Sequence, residues 1–330
     1  MKAIRLGIAL ILLQTTVWGQ TLLLLDSGRN SSFRGLSVVN NKTIWVSGSN
    51  GTVGKSLDGG KTWNWMQVMG FEHCDFRDIE AFDEHTAVLM ATGSPARIFK
   101  TTNGGTNWVV VFSDSTDGMF LDAMHFWNEQ SGIVVGDPIN GSIYIRRTFD
   151  GGSTWRGLPE HAYPTSAKGE VLFAASGTNI THYNRREALF VTGGTVSRLF
   201  IRNLKHTLPL QQGTSTTGAN SIAVRKKRIL IVGGDFTNDT LRRGTCVFST
   251  DFGKTFQTPQ TPPFGYRSCV AFQSKKRILA CGTSGVDVSH DGGLNWINIS
   301  RQSFHVVQKA KKGNAVFMAG PGGKIAKLID

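Results

Sequence analysis

The sequence of 330 residues has few cysteines and tyrosines, four of each, and no catalytic signature. No Cys-x-x-Cys pair and no cluster of Cys with His is present, so the spacing indicates no metal site, and we expect neither a metal nor a cofactor. GxSxG, HExxH, phosphate-loop and dinucleotide-binding motifs are absent. The common hydrolase, ATPase and dehydrogenase classes are therefore not indicated, no catalytic residue is assigned, and whether the protein is an enzyme stays open.

Long apolar runs are also lacking, apart from one at the N-terminus. Lys2 and Arg5 flank the apolar run of residues 6–13, and small residues follow before Gln20. That run is much shorter than the ~20 residues of a membrane-spanning helix. The pattern predicts a cleavable signal peptide over residues 1–19, no transmembrane segment, and a secreted or periplasmic protein.

Acidic residues are scarce relative to basic ones: 36 Lys and Arg stand against 23 Asp and Glu, a formal net charge of +13. Residues 20–330 alone carry +11, because the two charged residues before them are both basic. A basic chain favours acidic partners, and export argues against nucleic acid. The expected partner is therefore another protein or an acidic glycan in the cell envelope, with a merely solvated basic surface as the alternative. The sequence does not indicate an oligomeric state.

Two of the four cysteines form a candidate disulfide. Cys269 and Cys281 flank the predicted hairpin CVAFQSKKRILAC and fall opposite each other if Lys275 is at the turn. An exported protein permits disulfides, but directly paired strand positions suit disulfide geometry poorly. The pair of free thiols is therefore the favoured alternative.

The stretch SLDGGKTW recurs along the chain as TTNGGTNW, TFDGGSTW, STDFGKTF and SHDGGLNW. The steps between the acidic or amide positions of these boxes are 45, 47, 101 and 40 residues. The step of 101 spans two repeats, so a unit near residue 200 has lost its box. The residues that carry the pattern are Ser56, Asp58, Gly60, Trp63, Asn103, Gly105, Trp108, Asp150, Gly152, Trp155, Asp251, Gly253, Phe256, Asp291, Gly293 and Trp296.

The boxes are predicted to have a structural role. Asp, Asn and Ser side chains can hydrogen-bond the backbone of their own turn, and Gly can take a positive φ. The Trp can cover apolar surface between neighbouring strands. A calcium loop would need more oxygen ligands, and a phosphate loop would need a following helix.

Between the boxes, short β-branched and aromatic runs separated by Gly and Asn turns predict antiparallel meanders. Four strands per repeat of about 40 to 50 residues are typical of propeller blades. The sequence therefore predicts an all-β, seven-bladed β-propeller as a single domain over residues 20–330, with blades starting near residues 33, 75, 119, 169, 219, 266 and 304. The last unit is one strand short, and TLLLLDS at residues 21–27 is predicted to complete it and so to remove an open sheet edge.

The boxes resemble the Asp box, S/T-x-D-x-G-x-T/N-W, of bacterial neuraminidase-type (BNR) repeats. Such repeats occur in sialidases, in sortilin-like receptors and in the photosystem II stability/assembly factor family. The chain is most similar to that last family and its non-photosynthetic bacterial relatives, through FRGLS, FRDIEAF, GDPINGS at 136–142, GEVLFAASGT at 169–178 and SGVDVSHDGGLNW at 284–296. The resemblance implies a propeller that binds another protein during assembly.

Charged residues of the first strands are the candidates for a ligand site, because the first strands of a propeller line its central channel. Aligning these strands gives two sets: Arg34, Arg77 and Arg267 in one register, and Asp78, Asp122 and Glu170 in the next. One hypothesis is a site for a charged ligand or an acidic peptide, with the arginines as bidentate donors. The somewhat favoured alternative is a structural network of Arg–carboxylate pairs between blades.

Two further candidates, Asp137 and Asp235, lie in loops after second strands and can supply polar contacts at the rim, although turn capping is the more ordinary role for both. The alternative function is a carbohydrate-active, sialidase-like hydrolase or a glycan-binding protein, since a retaining sialidase needs an arginine cluster, a Tyr nucleophile and carboxylates. Tyr266 adjoins Arg267, yet the FRIP-type opening is absent and seven units exceed the six blades expected of sialidases.

Overall fold

The computed structural model describes residues 21–184, 187–202 and 204–329. The signal peptide predicted over residues 1–19 lies outside the described residues. Within them, the only helices are two one-turn 3-10 helices, Glu160–Ala162 and Pro321–Gly323. No described helix is long and apolar enough to cross a membrane. The 29 strands form seven sheets, and the protein is a seven-bladed β-propeller, as the repeat predicted.

The first strand of the chain, β1 (Thr21–Asp26), belongs to the last blade. Blades 1 to 3 each contain four antiparallel strands in chain order. Blade 1 contains β2 to β5: Phe33–Val38, Ile44–Gly48, Thr52–Ser56 and Asn64–Gln67. Blade 2 contains β6 to β9: Phe76–Ala81, Ala87–Ala91, Ala96–Thr101 and Val109–Asp114. Blade 3 contains β10 to β13: Leu121–Phe126, Gly132–Ile139, Ser142–Thr148 and Arg156–Gly157.

Blades 4 and 5 are interleaved in the chain. Two short strands, β14 (Glu170–Val171) and β17 (Gly193–Gly194), extend the sheet of blade 5. Blade 4 contains β15, β16, β18 and β19: Ile180–Asn184, Glu187–Val191, Arg198–Ile201 and Leu204–Thr207. The long strands of blade 5 are β20 to β22: Thr217–Arg225, Arg228–Asp235 and Cys246–Ser249.

Blades 6 and 7 complete the ring. Blade 6 contains β23 to β26: Cys269–Phe272, Ile278–Gly282, Gly285–Ser289 and Ile297–Ser300. Blade 7 contains β27 to β29 and then β1: Val306–Lys309, Val316–Ala319, Ile325–Ile329 and Thr21–Asp26. The inner strands contact one another in a closed circle, β2, β6, β10, β15, β20, β23, β27 and back to β2. This circle encloses a central channel.

The hydrophobic core lies in layers between neighbouring blades. Successive side chains of a strand point to opposite faces, so each blade presents apolar residues to both of its neighbours. Trp45 and Phe76 are fully buried between blades 1 and 2, and Phe190 and Phe200 are buried between blades 3 and 4. The ring is thus stabilised by contacts between blades as well as by the hydrogen-bonded ladders within them.

The N-terminal strand closes the last blade, as predicted. β1 pairs with β29 in antiparallel register from Thr21 opposite Ile329 onward. Leu22 and Leu25 pack against the core cluster of blades 6, 7 and 1, whereas Leu23 and Leu24 are each 46% exposed. The pairing covers the edge of β29, which would otherwise present unpaired backbone groups to solvent.

The fourth blade differs from the sequence-based prediction, which placed its first strand near residue 169. β14 is only two residues long, and the inner strand of blade 4 is β15, which begins at Ile180. Residues 172–179 form no strand between them. The physical reason is that several of their backbone groups bond to side chains of other blades, such as Arg34 and Asp137. Only the last two residues bond to neighbouring strands, through the carbonyls of Thr178 and Asn179.

The boxes form closed turns between the third and fourth strands of their blades. In the first box, Ser56 Oγ accepts from Gly60 N at 2.9 Å, and Asp58 accepts from both the backbone N–H and the hydroxyl of Thr62, at 3.0 and 2.6 Å. Trp63 Nε1 donates to Gly60 O, and Gly60 has φ +87°. The boxes at Asp150, Asp251 and Asp291 contain the same two kinds of hydrogen bond. The glycine N–H donates to the Ser or Thr hydroxyl, and the carboxylate accepts from the backbone and side chain of the Thr or Asn four residues later.

Cys269 and Cys281 are direct partners in the ladder of β23 and β24, at the positions that the hairpin predicted. All four cysteines are free thiols, so the candidate disulfide is not formed. Cys269 Sγ instead donates to Val307 O of the next blade at 3.3 Å.

Candidate functional site

One end of the channel is lined by residues at β-bulges. In four blades the pairing of the two innermost strands shifts by one residue near the start of the inner strand. The unpaired residues at these shifts are Arg34, Arg77, Asp122 and Asn220. A bulge bends its strand and redirects the side chain of its extra residue. We call this end of the channel, where Arg34 and Arg77 lie, the arginine mouth.

A strand-free segment, residues 172–179, fills the channel behind the arginine mouth, and we call it the channel plug. Leu172 N donates to Asp137 in blade 3, and Ser176 Oγ donates to Ser268 O before blade 6 at 2.8 Å. Thr178 Oγ1 is 2.7 Å from Ser221 Oγ in blade 5. The plug therefore joins blades on opposite sides of the ring and separates the two ends of the channel.

Arg34 and Arg77 are held side by side by the plug. Arg34 donates to Ala175 O at 3.2 Å, and Arg77 donates to Ala174 O at 3.0 Å. Arg77 also pairs with Asp75, whereas no carboxylate in the described part of the chain lies within ion-pair distance of Arg34. Burial lowers the pKa of Arg34, and the charge of Arg77 lowers it further.

Other groups near the arginine mouth add little negative charge. His305 lies close enough to both arginines to be affected by them, and its pKa falls to about 3 because of burial and then of Arg34. Its ring Nε2 is 3.1 Å from Ser32 Oγ. Lys324 also acts on His305. The mouth thus combines two guanidinium groups and an ammonium group with a neutral imidazole and one carboxylate, that of Asp75, which pairs with Arg77.

Asp122, which is fully buried, and Asp137, which is partly buried, form a carboxyl pair beside Arg77. The backbone N–H groups of Asp137 and Ala174 lie near the Asp122 carboxylate and offset only part of the effect of its burial. Burial and then the charge of Asp137 raise the pKa of Asp122 well above its usual range, which outweighs the opposing effect of Arg77. Burial raises the pKa of Asp137 to about 6. Asp122 therefore favours its neutral form, and Asp75 is the carboxylate that offsets part of the charge of the two arginines.

The remaining acidic candidates have structural partners. Asp78 is buried and accepts from Ile79 N at 2.8 Å and from Met124 N at 2.7 Å, so it ties blade 2 to blade 3. Burial raises its pKa well above the usual range. Glu170 is not in the channel register that the alignment predicted, because it lies in β14. It is buried against Arg198 and Thr192.

Arg267 is one residue out of the predicted register. It is fully buried, and its guanidinium contacts Asp287 at 2.6 Å. The backbone of Arg267 lies directly opposite Gly282, because a Cβ built on that glycine would be 3.0 Å from the Arg267 Cα. In blade 3 the backbone of Leu121 lies opposite Gly136 in the same way, at 3.3 Å from a Cβ built there. Arg267 therefore occupies the core position that Leu121 has in blade 3, and it does not join the arginine mouth.

The groups named for a sialidase-type site are not brought together. Tyr266 is buried, its hydroxyl donates to Asn220 at 2.8 Å, and burial raises its pKa. Arg267 and Glu170 each have an ionic partner elsewhere, Asp287 and Arg198.

The rim candidate Asp235 caps a turn by accepting from Thr237 N and Oγ1, and those bonds lower its pKa. No group of three or more His, Cys, Asp or Glu able to hold a metal occurs among the described residues.

The opposite end of the channel is an open cavity of about 590 Å³, which we call the distal cavity. Its walls are the C-terminal ends of all seven inner strands, and Gly177 and Thr178 of the plug line it as well. Sequence reasoning did not identify this cavity or the plug. The run GEVLFAASGT contains the signal for the plug, because its small residues fit between packed blades, but one sequence does not show what they pack against.

The comparisons with known proteins find similarity at the level of the fold. No family model matches the chain, and no curated protein matches it. A solved structure described as "YCF48 bound to D1 peptide" aligns with a TM-score of 0.66 and 16% identity, over 96% of each chain. YCF48 from Cyanidioschyzon merolae aligns with a TM-score of 0.66 and 17% identity, over 93% of this chain and 98% of that one.

Similarity of the same kind extends beyond YCF48. The WD40 propeller domain of Doa1 aligns with a TM-score of 0.62 and 12% identity, over 94% of this chain and 97% of that chain. At such low identities the likeness establishes the propeller fold alone, since propellers serve unrelated functions.

Proposed function

We propose that this protein is an exported binding scaffold that holds an acidic segment of another protein at the arginine mouth. The observation that carries the proposal is the pair Arg34 and Arg77, fixed side by side by the carbonyl groups of Ala175 and Ala174. Two like charges held together favour an anion that contacts both. The predicted signal peptide supports export, and the partner would then be a protein of the cell envelope.

The electrostatics favour an external carboxylate over the internal network that was the alternative. A network requires a carboxylate for each arginine, and Arg77 has Asp75. Arg34 donates to the Ala175 carbonyl and is affected by Asp75 only from beyond ion-pair distance, and Asp122, beside Arg77, favours its neutral form. Arg34 therefore retains donor groups for a ligand. The fold likeness to YCF48, which was solved with a bound D1 peptide, supports a peptide ligand, as does the sequence resemblance to the Asp-box assembly factors.

The proposal is tested by fluorescence anisotropy with a synthetic acidic peptide and its Glu→Gln counterpart. We expect saturable binding of the acidic peptide alone, and a loss of at least about tenfold in affinity for the variant R34Q/R77Q, since two charge-assisted contacts are removed. The variant K227Q/K275Q removes two exposed charges from hairpins that follow the inner strands β20 and β23, at the other end of those strands from the mouth, and should bind normally.

The melting temperature separates binding from structure in the same variants. Unchanged melting of Arg34→Gln together with lost binding is the expected result. A large fall in the melting temperature would show that the arginines form an internal network, and the proposal would then be abandoned. Retained peptide binding by R34Q/R77Q would also contradict it. Preferential binding of an oligogalacturonate in place of the peptide would favour the glycan-binding alternative.

A further inference from the structure

The distal cavity has the composition of a ligand site, and no role of the arginine mouth depends on it. Gly177 and Thr178 of the plug line its inner end, and the plug is fixed there by hydrogen bonds to Ser268 and Ser221. Its volume of about 590 Å³ lies in the usual range for sites that hold a small molecule. It combines apolar walls with a few polar groups, which is also usual for such sites.

The walls of the distal cavity include apolar side chains that are still partly exposed. They come from the ends of inner strands or from just beyond them: Phe82, Trp127, Ala223, Val224 and Phe272. A ligand that places hydrocarbon against these side chains removes apolar surface from water, which stabilises the complex roughly in proportion to the area covered.

The rim of the cavity carries excess positive charge. Arg225 of blade 5 and Lys309 of blade 7 line the cavity, and neither side chain has a hydrogen-bond or ion-pair partner in the part of the chain that the structure describes. Lys311 differs, because it bonds Ser37 Oγ, Glu80 Oε1 and Ala81 O. Lys312 and Glu129 also line the cavity beyond the strand ends, so the rim keeps a net positive charge. Arg225 and Lys309 are the cations of the rim that lie on inner strands and have no partner among the described residues.

Two histidines form the polar part of the wall without adding charge. His125 Nε2 is 2.6 Å from His182 Nδ1. Burial lowers the pKa of His125 to about 3 and also lowers the pKa of His182. A neutral pair shares one proton between its rings and leaves one N–H donor and one acceptor free. The charge that selects a ligand therefore comes from the rim.

We propose that the distal cavity binds a small aliphatic monocarboxylate, with its carboxylate at Arg225 and Lys309 and its hydrocarbon against the inner strands. The net positive charge of the rim disfavours cations, and the apolar walls disfavour a ligand that is polar throughout. This site is independent of the arginine mouth, because the plug lies between them.

Isothermal titration calorimetry at low salt tests the proposal with four probes: octanoate, octan-1-ol, octylammonium and inorganic phosphate. We expect one saturable site for octanoate, weaker binding of octan-1-ol, and no binding of octylammonium or phosphate. The variant R225Q/K309Q should weaken octanoate binding at least about tenfold, because both charge-assisted contacts are lost. The variant K227Q/K275Q removes two exposed charges from neighbouring hairpins outside the cavity and should bind octanoate normally.

Three results would overturn the proposal. They are the absence of saturable octanoate binding, equal binding of octanoate and octylammonium, and unchanged binding by R225Q/K309Q. Phosphate binding as tight as that of octanoate would refute the aliphatic part. The variant R34Q/R77Q should bind octanoate normally, so failure of the peptide proposal and failure of this one are distinguishable.

Discussion

At the scale of single residues, the second box shows what a carboxylate contributes to these turns. Asp58 and Asp150 each accept from a threonine hydroxyl through their second oxygen, and these bonds help to lower the pKa of each to about 2. Asn103 accepts from Asn107 N at 3.0 Å but offers an amide nitrogen where the other boxes offer that oxygen. The amide of Asn107 therefore lacks the acceptor that Asp291 gives to Asn295.

We predict that Asn103→Asp stabilises the protein by about 0.5 kcal/mol at pH 7, a small value because the site is exposed. The carboxyl should have a pKa below its unfolded value of about 4. The gain is then fully present above pH 4 and is lost as the pH falls toward 2. Urea unfolding at pH 7, 4 and 2.5 measures it. Thr102→Asp adds the same charge without the turn acceptor and should give no gain, and a gain for Asn103→Asp that persisted at pH 2.5 would contradict the argument.

At the scale of elements, the channel plug lies between the arginine mouth and the distal cavity. Gly177 has φ +66°, and a Cβ built on it would lie 2.4 Å from the Asp78 carboxyl carbon. Asp78 is itself fixed by Ile79 N and Met124 N. The plug can therefore approach blade 2 only through a glycine, and its position depends on the absence of that side chain.

We predict that Gly177→Ala lowers the free energy of unfolding by about 1–2 kcal/mol for the left-handed backbone and by about 1–3 kcal/mol more for the clash with Asp78. Gly141→Ala is the matched control, because its φ is +76° and nothing lies within 4 Å of the new Cβ. Chemical denaturation of both variants isolates the clash. Equal losses for the two variants would mean that the plug does not pack tightly on Asp78.

At the scale of the whole molecule, the two ends of the chain are joined in one sheet. β1 supplies the outer strand of blade 7 and places Leu25 against the box of blade 1, where a Cβ on Gly60 would lie 2.5 Å from a Leu25 methyl group. Closure of the ring thus depends on backbone pairing and on a contact with the next blade.

We predict that Leu25→Ala destabilises the protein by about 1–2 kcal/mol, less than the 2–5 kcal/mol of a fully buried leucine because Leu25 is only partly buried. Leu24→Ala, on the same strand but 46% exposed, should change stability by less than about 0.5 kcal/mol. Thermal melting compares them. Faster amide exchange in β29 is expected for Leu25→Ala alone, and similar effects of the two variants would mean that β1 contributes through its backbone only.

The spacing of the boxes together with the recurring strands between them was sufficient to predict seven blades, and the missing strand of the last unit predicted the closing role of β1. The turns of a blade depend on neighbouring residues, which is why a single sequence shows them. The site was less predictable. Arg34 and Arg77 were found because each follows a Phe in two similar strands. Arg267 was placed one residue away from its true position in the strand. Only the pairing of Cys269 with Cys281 and the backbone contact of Gly282 reveal that difference.

The sequence by itself determined the fold class, the number of blades and the internal hydrogen bonding of SLDGGKTW and its copies, since these depend on contacts within a few residues. The tertiary structure alone decided that residues 172–179 leave the sheet and enter the channel, that Asp122 is buried beside Arg77, and that Arg225 and Lys309 share one cavity. These features depend on which blades meet across the channel, and residues more than a hundred positions apart, such as Arg34 and Ala175, meet only after the ring has closed.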